Sequence, residues 1–214
     1  MQKLFSHWFK GLSLLTLALL AIGALSAFIL HSSAFANSSS ANATQANAQP
    51  NSSFTFSMVP SPGISACLPH ASGSVTITTG ALNDTMKVSV KGLAHSTGYD
   101  LFVIEIPNKP FGIAWYQSDL ETDSSGAGSA TVRGIFNVET FSVSTGGPTT
   151  TFAPTHQYHL GLWFNSPKVP FNLGCEPGQT KPIVTPFNGA QHAGIQVLNT
   201  SNFPDNAGPL SHVS

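Results

Sequence analysis

Histidine is the residue type in this chain best suited to chemistry. Eight histidines stand among 214 residues, and neutral imidazole is the commonest protein ligand for copper or zinc. His156, His159 and His192 form the candidate metal set. His156 and His159 are three positions apart, which means one face of a helix but opposite faces of a strand. On a strand, His159 shares a face with Gly161 and Trp163, while His156 aligns with Tyr158, Leu160 and Leu162. Bringing both to one ion needs a bend before Tyr158, which Pro154 allows. The His-x-His spacing that presents two imidazoles from one strand face does not occur. The plainer reading makes these residues, with His70, His95 and His212, hydrogen-bonded histidines of a half-exposed surface.

Carboxylates give a second candidate. Asp119, Glu121 and Asp123 alternate along one strand face and run into a Gly-rich turn. Like charges at that spacing repel, and a hard cation such as calcium relieves the repulsion. The competing reading is a solvated face ending in an Asx turn, with Asp123 bonding backbone amides and Gly126 supplying positive φ. Glu105 ends an apolar run, where burial would raise its pKa and suit it to general acid work. More simply, it pairs with Lys109 or emerges into solvent. No Gly-x-Ser-x-Gly, Ser-x-x-Lys, His-Glu-x-x-His or phosphate-binding Gly loop occurs, so nucleophilic catalysis has no sequence signature. A hydrolase whose residues come from distant strands stays open as a third reading. Trp115 and Tyr116 are adjacent, so a regular strand turns one of them outward. That pair is the candidate ligand-binding surface, suited to stacking on a sugar or packing against a protein.

The elements that must position these residues read as β-strands. Phe54, Phe56 and Met58 alternate with Thr55 and Ser57, Val75 and Ile77 with Thr76 and Thr78, and Met86, Val88 and Val90 with Lys87, Ser89 and Lys91. Tyr99–Ile106 is apolar on both faces from Leu101 to Ile104, as a central strand is. Ile113–Leu120 and Ser129–Val143 flank a hairpin loop over Glu121–Gly128, and Tyr158–Phe164 is a strand with an aromatic face. No window after Asn37 carries an apolar stripe at helical spacing. The fold class expected is all-β, an antiparallel β-sandwich of Ig-like or Greek-key type with about seven or eight strands, a barrel being second. Asn165–Pro186 reads as a long loop, and Asn199–Ser214 as a polar tail over the surface.

The chain begins with Lys3 and Lys10, an uncharged apolar run over Gly11–Leu30, and Ala34-Phe35-Ala36. This is the pattern of an export signal over residues 1–36, cleaved after Ala36. An uncleaved membrane anchor is the competing reading, because a run of that length spans a bilayer. Residues 37–53 are rich in Asn, Ser and Ala without charge, a disordered spacer, and 54–214 make a single domain. Export carries Cys67 and Cys175, the only cysteines, to an oxidising compartment, where they form one disulfide. They lack the local spacing of a metal site. Charged residues make up 8% of the chain and the net charge is −1, which gives no electrostatic footprint for nucleic acid.

Gly92-Leu93 after a wet-faced strand, then Tyr99-Asp100-Leu101-Phe102-Val103, then Thr122-Asp123 with Gly126 and Gly128, resembles the strand rhythm of chordin-type domains and of the extracytoplasmic domains of some anti-sigma factors. His156–Phe164 with Thr185-Pro186-Phe187-Asn188-Gly189 is similar to a group of uncharacterised exported bacterial β-sandwich proteins. The resemblance implies a sandwich and no particular activity. The function expected is therefore a non-enzymatic binding or structural module of the cell envelope or extracellular space, with an envelope protein or glycan as partner. The alternative is a histidine-based copper or zinc domain. No cofactor is expected beyond those ions or calcium, and a membrane is met only through the N-terminal segment if it stays uncleaved.

Overall fold

The structure, a computed structural model, describes residues 52–136, 142–143, 146–151, 156–186 and 192–213. Residues 1–36, read above as an export signal, residues 37–51 of the expected spacer, and Pro154, Phe187, Asn188 and Gly189 lie outside the described residues. The alternating runs form strands where the side-chain period requires it: β1 (Ser53–Pro60), β2 (Ser72–Thr78) and β3 (Asp84–Lys91). They turn Phe56, Met58, Val75, Ile77, Met86, Val88 and Val90 into the core. Then follow β4 (Gly98–Ile104), β5 (Ala114–Glu121), β6 (Gly128–Gly134), β7 (Ser142–Val143), β8 (Thr150–Thr151) and β9 (His159–Phe164). After these come a short helix α1 (Lys168–Asn172), β10 (Thr185–Pro186), β11 (His192–Ala193) and β12 (Gln196–Asn199).

The domain is all-β and antiparallel. Eight strands make one sheet in the order β5-β4-β9-β12-β1-β2-β3-β6. Strand β1 carries the continuity: Ser53–Met58 pair with β2, and Val59 and Pro60 pair with β12. The outermost strands, β5 and β6, are successive in sequence and meet at a single bridge, Thr122 to Gly128, so the sheet curls nearly into a barrel. Thr122 secures that corner, its hydroxyl donating to Ala94 O at 2.7 Å and accepting from Thr97 N at 3.0 Å.

Strands β4 and β9 are covered on both faces, which is why their sequences are apolar throughout. Tyr99, Leu101, Val103, Leu160, Leu162 and Phe164 face the main core. On the other face Phe102, Ile104 and Trp163 form a second, smaller cluster with Ala193 and Phe111. The 165–186 segment is an ordered connection containing α1. Its Cys175 is joined to Cys67 with Cα atoms 5.0 Å apart, which fixes the segment beside β1 and β2. The tail also differs from a surface wrap. Leu210 and Val213 are buried in the core, and Leu210 N donates to Tyr158 O at 3.0 Å. Two apolar residues in a polar tail suffice, because each buried aliphatic side chain contributes about 1.5–3 kcal/mol.

Candidate functional site

The outer face of β4, β9 and β12 holds the most unusual chemistry. Gly161 leaves a notch in β9: a Cβ there would sit 2.3 Å from Trp163 Cζ3 and 2.6 Å from Gln196 Nε2. The indole occupies that notch, with Phe102 and Phe111 edge-on at centroid distances of 5.4 and 5.1 Å. Gln196 lies opposite Trp163 in register on β12. Its amide orientation is set by two donors to Oε1, Ser61 Oγ and Asn199 Nδ2, each at 2.9 Å. Nε2 is left with no partner, as is Trp163 Nε1. Glu176 follows the disulfide-held Cys175 and is 5% exposed. Its Oε2 accepts from Ile183 N at 2.8 Å, and its Oε1 has no partner.

Trp163, Glu176 and Gln196 line one cavity of about 490 Å³, together with Ser61, Lys109, Phe111, Ile183 and Ile195. A second hollow of about 230 Å³ shares Phe111, Trp163 and Thr185 with it. Buried polar atoms without partners cost about 1–3 kcal/mol each and are few in folded proteins. Here three fall on residues of one cavity.

Farther along the same face, Asp100 lies opposite Asp119, and Gly98 opposite Glu121. Asp100 is 1% exposed. Its Oδ1 accepts from Asn165 Nδ2 at 3.0 Å, and its Oδ2 has no hydrogen-bond partner. Burial first, then the neighbouring carboxylates Asp119 and Glu121, push its pKa up to about 6 against the favourable Asn165 bond. Tyr116 donates to Asp119 Oδ1 at 2.7 Å, and burial followed by the Asp119 contact pushes the phenol up to about 12.

The carboxylate trio expected from sequence is thus divided. Asp119 and Glu121 join Asp100 on the strand face, while Asp123 closes an Asx turn. Asp123 Oδ1 accepts from Ser125 N and Oγ at 2.7 and 2.6 Å and from Ala127 N at 3.2 Å. Those bonds, the Ser125 hydroxyl foremost, lower its pKa, and Gly126 takes φ 77°.

Trp115 and Tyr116 are 40% and 43% exposed. Tyr116 packs edge-on against Phe102 at 5.7 Å, and a register shift between Leu101 and Phe102 accompanies their place on the edge strand. The histidines are dispersed. His156 is exposed and stacks on Tyr158 at 5.3 Å, and His192 is exposed on β11. His159 is buried, with Nδ1 2.9 Å from Thr200 Oγ1 and Nε2 within 3.2 Å of the Pro204 and Asp205 carbonyls. Those carbonyls only accept, so Nε2 carries the proton and Nδ1 accepts from Thr200. Burial lowers the His159 pKa. Among the described residues no group of three His, Cys, Asp or Glu is placed to hold a metal ion.

Glu105 is exposed, its Oε2 accepting from Ile113 N at 3.0 Å, and so closes the 105–113 loop. Sequence reasoning did not single out Asp100, Glu176 or Gln196. Asp100 and Gln196 had a signal: each is a polar residue inside an apolar strand run. Glu176 had only its place beside Cys175. Compared with known proteins, the chain matches no protein-family model and no curated protein.

Proposed function

We propose that this chain is an exported, non-enzymatic binding module of the cell envelope or extracellular space, its signal cleaved after Ala36 and its curled sheet working as a flattened, sandwich-type scaffold. The reading places it with the exported bacterial β-sandwich proteins that share its strand rhythm. Its partner is a group presented by an envelope protein or glycan. One observation carries it: three cavity residues each hold a buried polar atom without a partner, beside aromatic walls. The disulfide suits an oxidising compartment. The cavity's polar groups are amides, an indole, a carboxylate, the Lys109 ammonium and the Ser61 and Thr185 hydroxyls, and Ser61 donates to an amide oxygen rather than to a base. Such groups recognise a ligand more readily than they attack one.

Thermal unfolding of the exported protein against a panel of envelope glycans, peptides and amino acids tests the reading. A ligand that binds the folded state raises the midpoint, and Gln196→Ala should abolish that rise. A panel without any rise would sink the binding reading. Metal content of the same preparation decides the alternative: stoichiometric copper, zinc or calcium would favour a metal domain.

A further inference from the structure

Resting on the binding reading above, we propose that the cavity receives the free amino-terminal end of a peptide or amino acid. The ammonium sits against Glu176, and the adjoining carbonyl oxygen sits against Trp163 and Gln196. The three orphaned atoms differ in kind. Indole N–H and the amide Nε2 are donors only, so both call for an acceptor. Trp163 and Gln196 are opposite one another across β9 and β12, and a ligand carbonyl oxygen, with its two lone pairs, is the acceptor both donors lack. The Gln196 amide cannot turn over to satisfy itself, because Ser61 and Asn199 both donate to its oxygen.

Glu176 calls for the opposite partner. Its buried Oε1 accepts from nothing while Oε2 is taken by Ile183 N. A buried carboxylate among apolar walls is compensated best by a charged donor. An ammonium and a carbonyl separated by one carbon are the amino end of a peptide. A neutral sugar would satisfy the donors but bring no charge to Glu176 Oε1, which the exposed Lys109 of the cavity lining does not bond. Phe111, Ile183 and Ile195 supply apolar wall for the first side chain, and about 490 Å³ suits a ligand of that size. All three orphaned atoms are covered, so a ligand enters by displacing a side chain. Phe111, half-buried and shared by both hollows, is placed to move.

The test is calorimetric titration of the exported protein with leucyl-alanine, N-acetyl-leucyl-alanine and chitotriose. Leucyl-alanine should bind, and acetylation, which removes the ammonium, should weaken binding roughly tenfold or more. Glu176→Gln keeps an acceptor for Ile183 N–H and should erase that discrimination. If the variant does not fold, the free and acetylated peptides on the unmodified protein decide alone. Equal binding of both peptides, or binding of chitotriose only, overturns the amino-end inference and leaves the binding reading standing. Silence from all three probes overturns the inference, and the binding reading then falls only if the wider panel is silent too.

Discussion

Asp100 and Asp119 face each other directly across β4 and β5, one carboxyl 1% exposed and the other at the surface with the Tyr116 hydroxyl on it at 2.7 Å. Asp100 therefore holds its proton up to about pH 6, against an ordinary value of 3.8. Because the folded-state value is the higher one, the folded domain binds a proton between about pH 4 and 6 that the unfolded chain has released. This contribution to stability is present at low pH and declines as pH rises through that window.

Asp100→Asn should remove the decline. The amide still accepts from Asn165 and places no second charge opposite Asp119. The variant should match the unmodified protein near pH 4 and exceed it at pH 7 by on the order of 2 kcal/mol. Equilibrium urea unfolding at the two pH values checks this. A variant less stable at pH 7 would show that the charged form of Asp100 is the favoured one.

His159 contributes with the opposite sign. Its pKa is lowered by burial, so the folded domain resists protonation that the unfolded chain accepts below about pH 6.5. Its contribution is present above that value and is lost as pH falls toward the folded-state value. Protonation of Nδ1 also breaks the bond accepted from Thr200 at 2.9 Å. His159→Asn should flatten the stability profile below pH 6.5 while lowering stability at pH 7.5 by about 1–3 kcal/mol, because the Pro204 and Asp205 carbonyls lose their donor. Comparing unfolding midpoints at pH 5.5 and 7.5 reads both effects. An unchanged profile would mean that His159 titrates like an exposed imidazole.

Cys67 and Cys175 close a loop with a sequence separation of 108, worth about 4–5 kcal/mol in the chain-entropy account. The bond also positions one wall of the proposed binding cavity, since Cys175 and Glu176 both line it. A double Cys67→Ala, Cys175→Ala variant should lose stability on that scale. It should also lose affinity for the cavity's ligand at temperatures where it remains folded. Thermal unfolding and titration on the same sample separate the two losses. Full affinity in the folded variant would mean that Glu176 is held by the Ile183 contact alone.

Strands with a wet and a dry face were legible because their period is written in side-chain type, as in Met86, Val88 and Val90 against Lys87, Ser89 and Lys91. The cysteine pair and the Asx turn at Asp123 were legible for equally local reasons. The closure of the sheet was not. It depends on where Val59 and Pro60 change partners from β2 to β12, a long-range pairing that alternation leaves open. The site was half legible. Trp163 stood out as an aromatic, but its partner Gln196 comes 33 positions later, and only register brings them together. The histidines misdirected attention for the converse reason. Spacing in sequence says nothing of the carbonyls at Pro204 and Asp205 that occupy His159.

Gly161 is where fold and site depend on one missing methyl group. A Cβ would fall 2.3 and 2.6 Å from Trp163 ring carbons and 2.6 Å from Gln196 Nε2. Relief is costly on both sides: the indole packs edge-on against the buried Phe102, and the amide is held by Ser61 and Asn199. Gly161→Ala should therefore cost about 1–3 kcal/mol by overpacking, although alanine ordinarily fits a strand better than glycine. The larger effect falls on the cavity, because the indole must tilt toward it. Tryptophan emission from a Trp8→Phe, Trp115→Phe background, which leaves Trp163 alone, should report that tilt as a shift to longer wavelength, with ligand affinity falling at least tenfold. An alanine variant with unchanged emission and affinity would show that the notch is spare volume and that the Trp163–Gln196 pair is set by strand register alone.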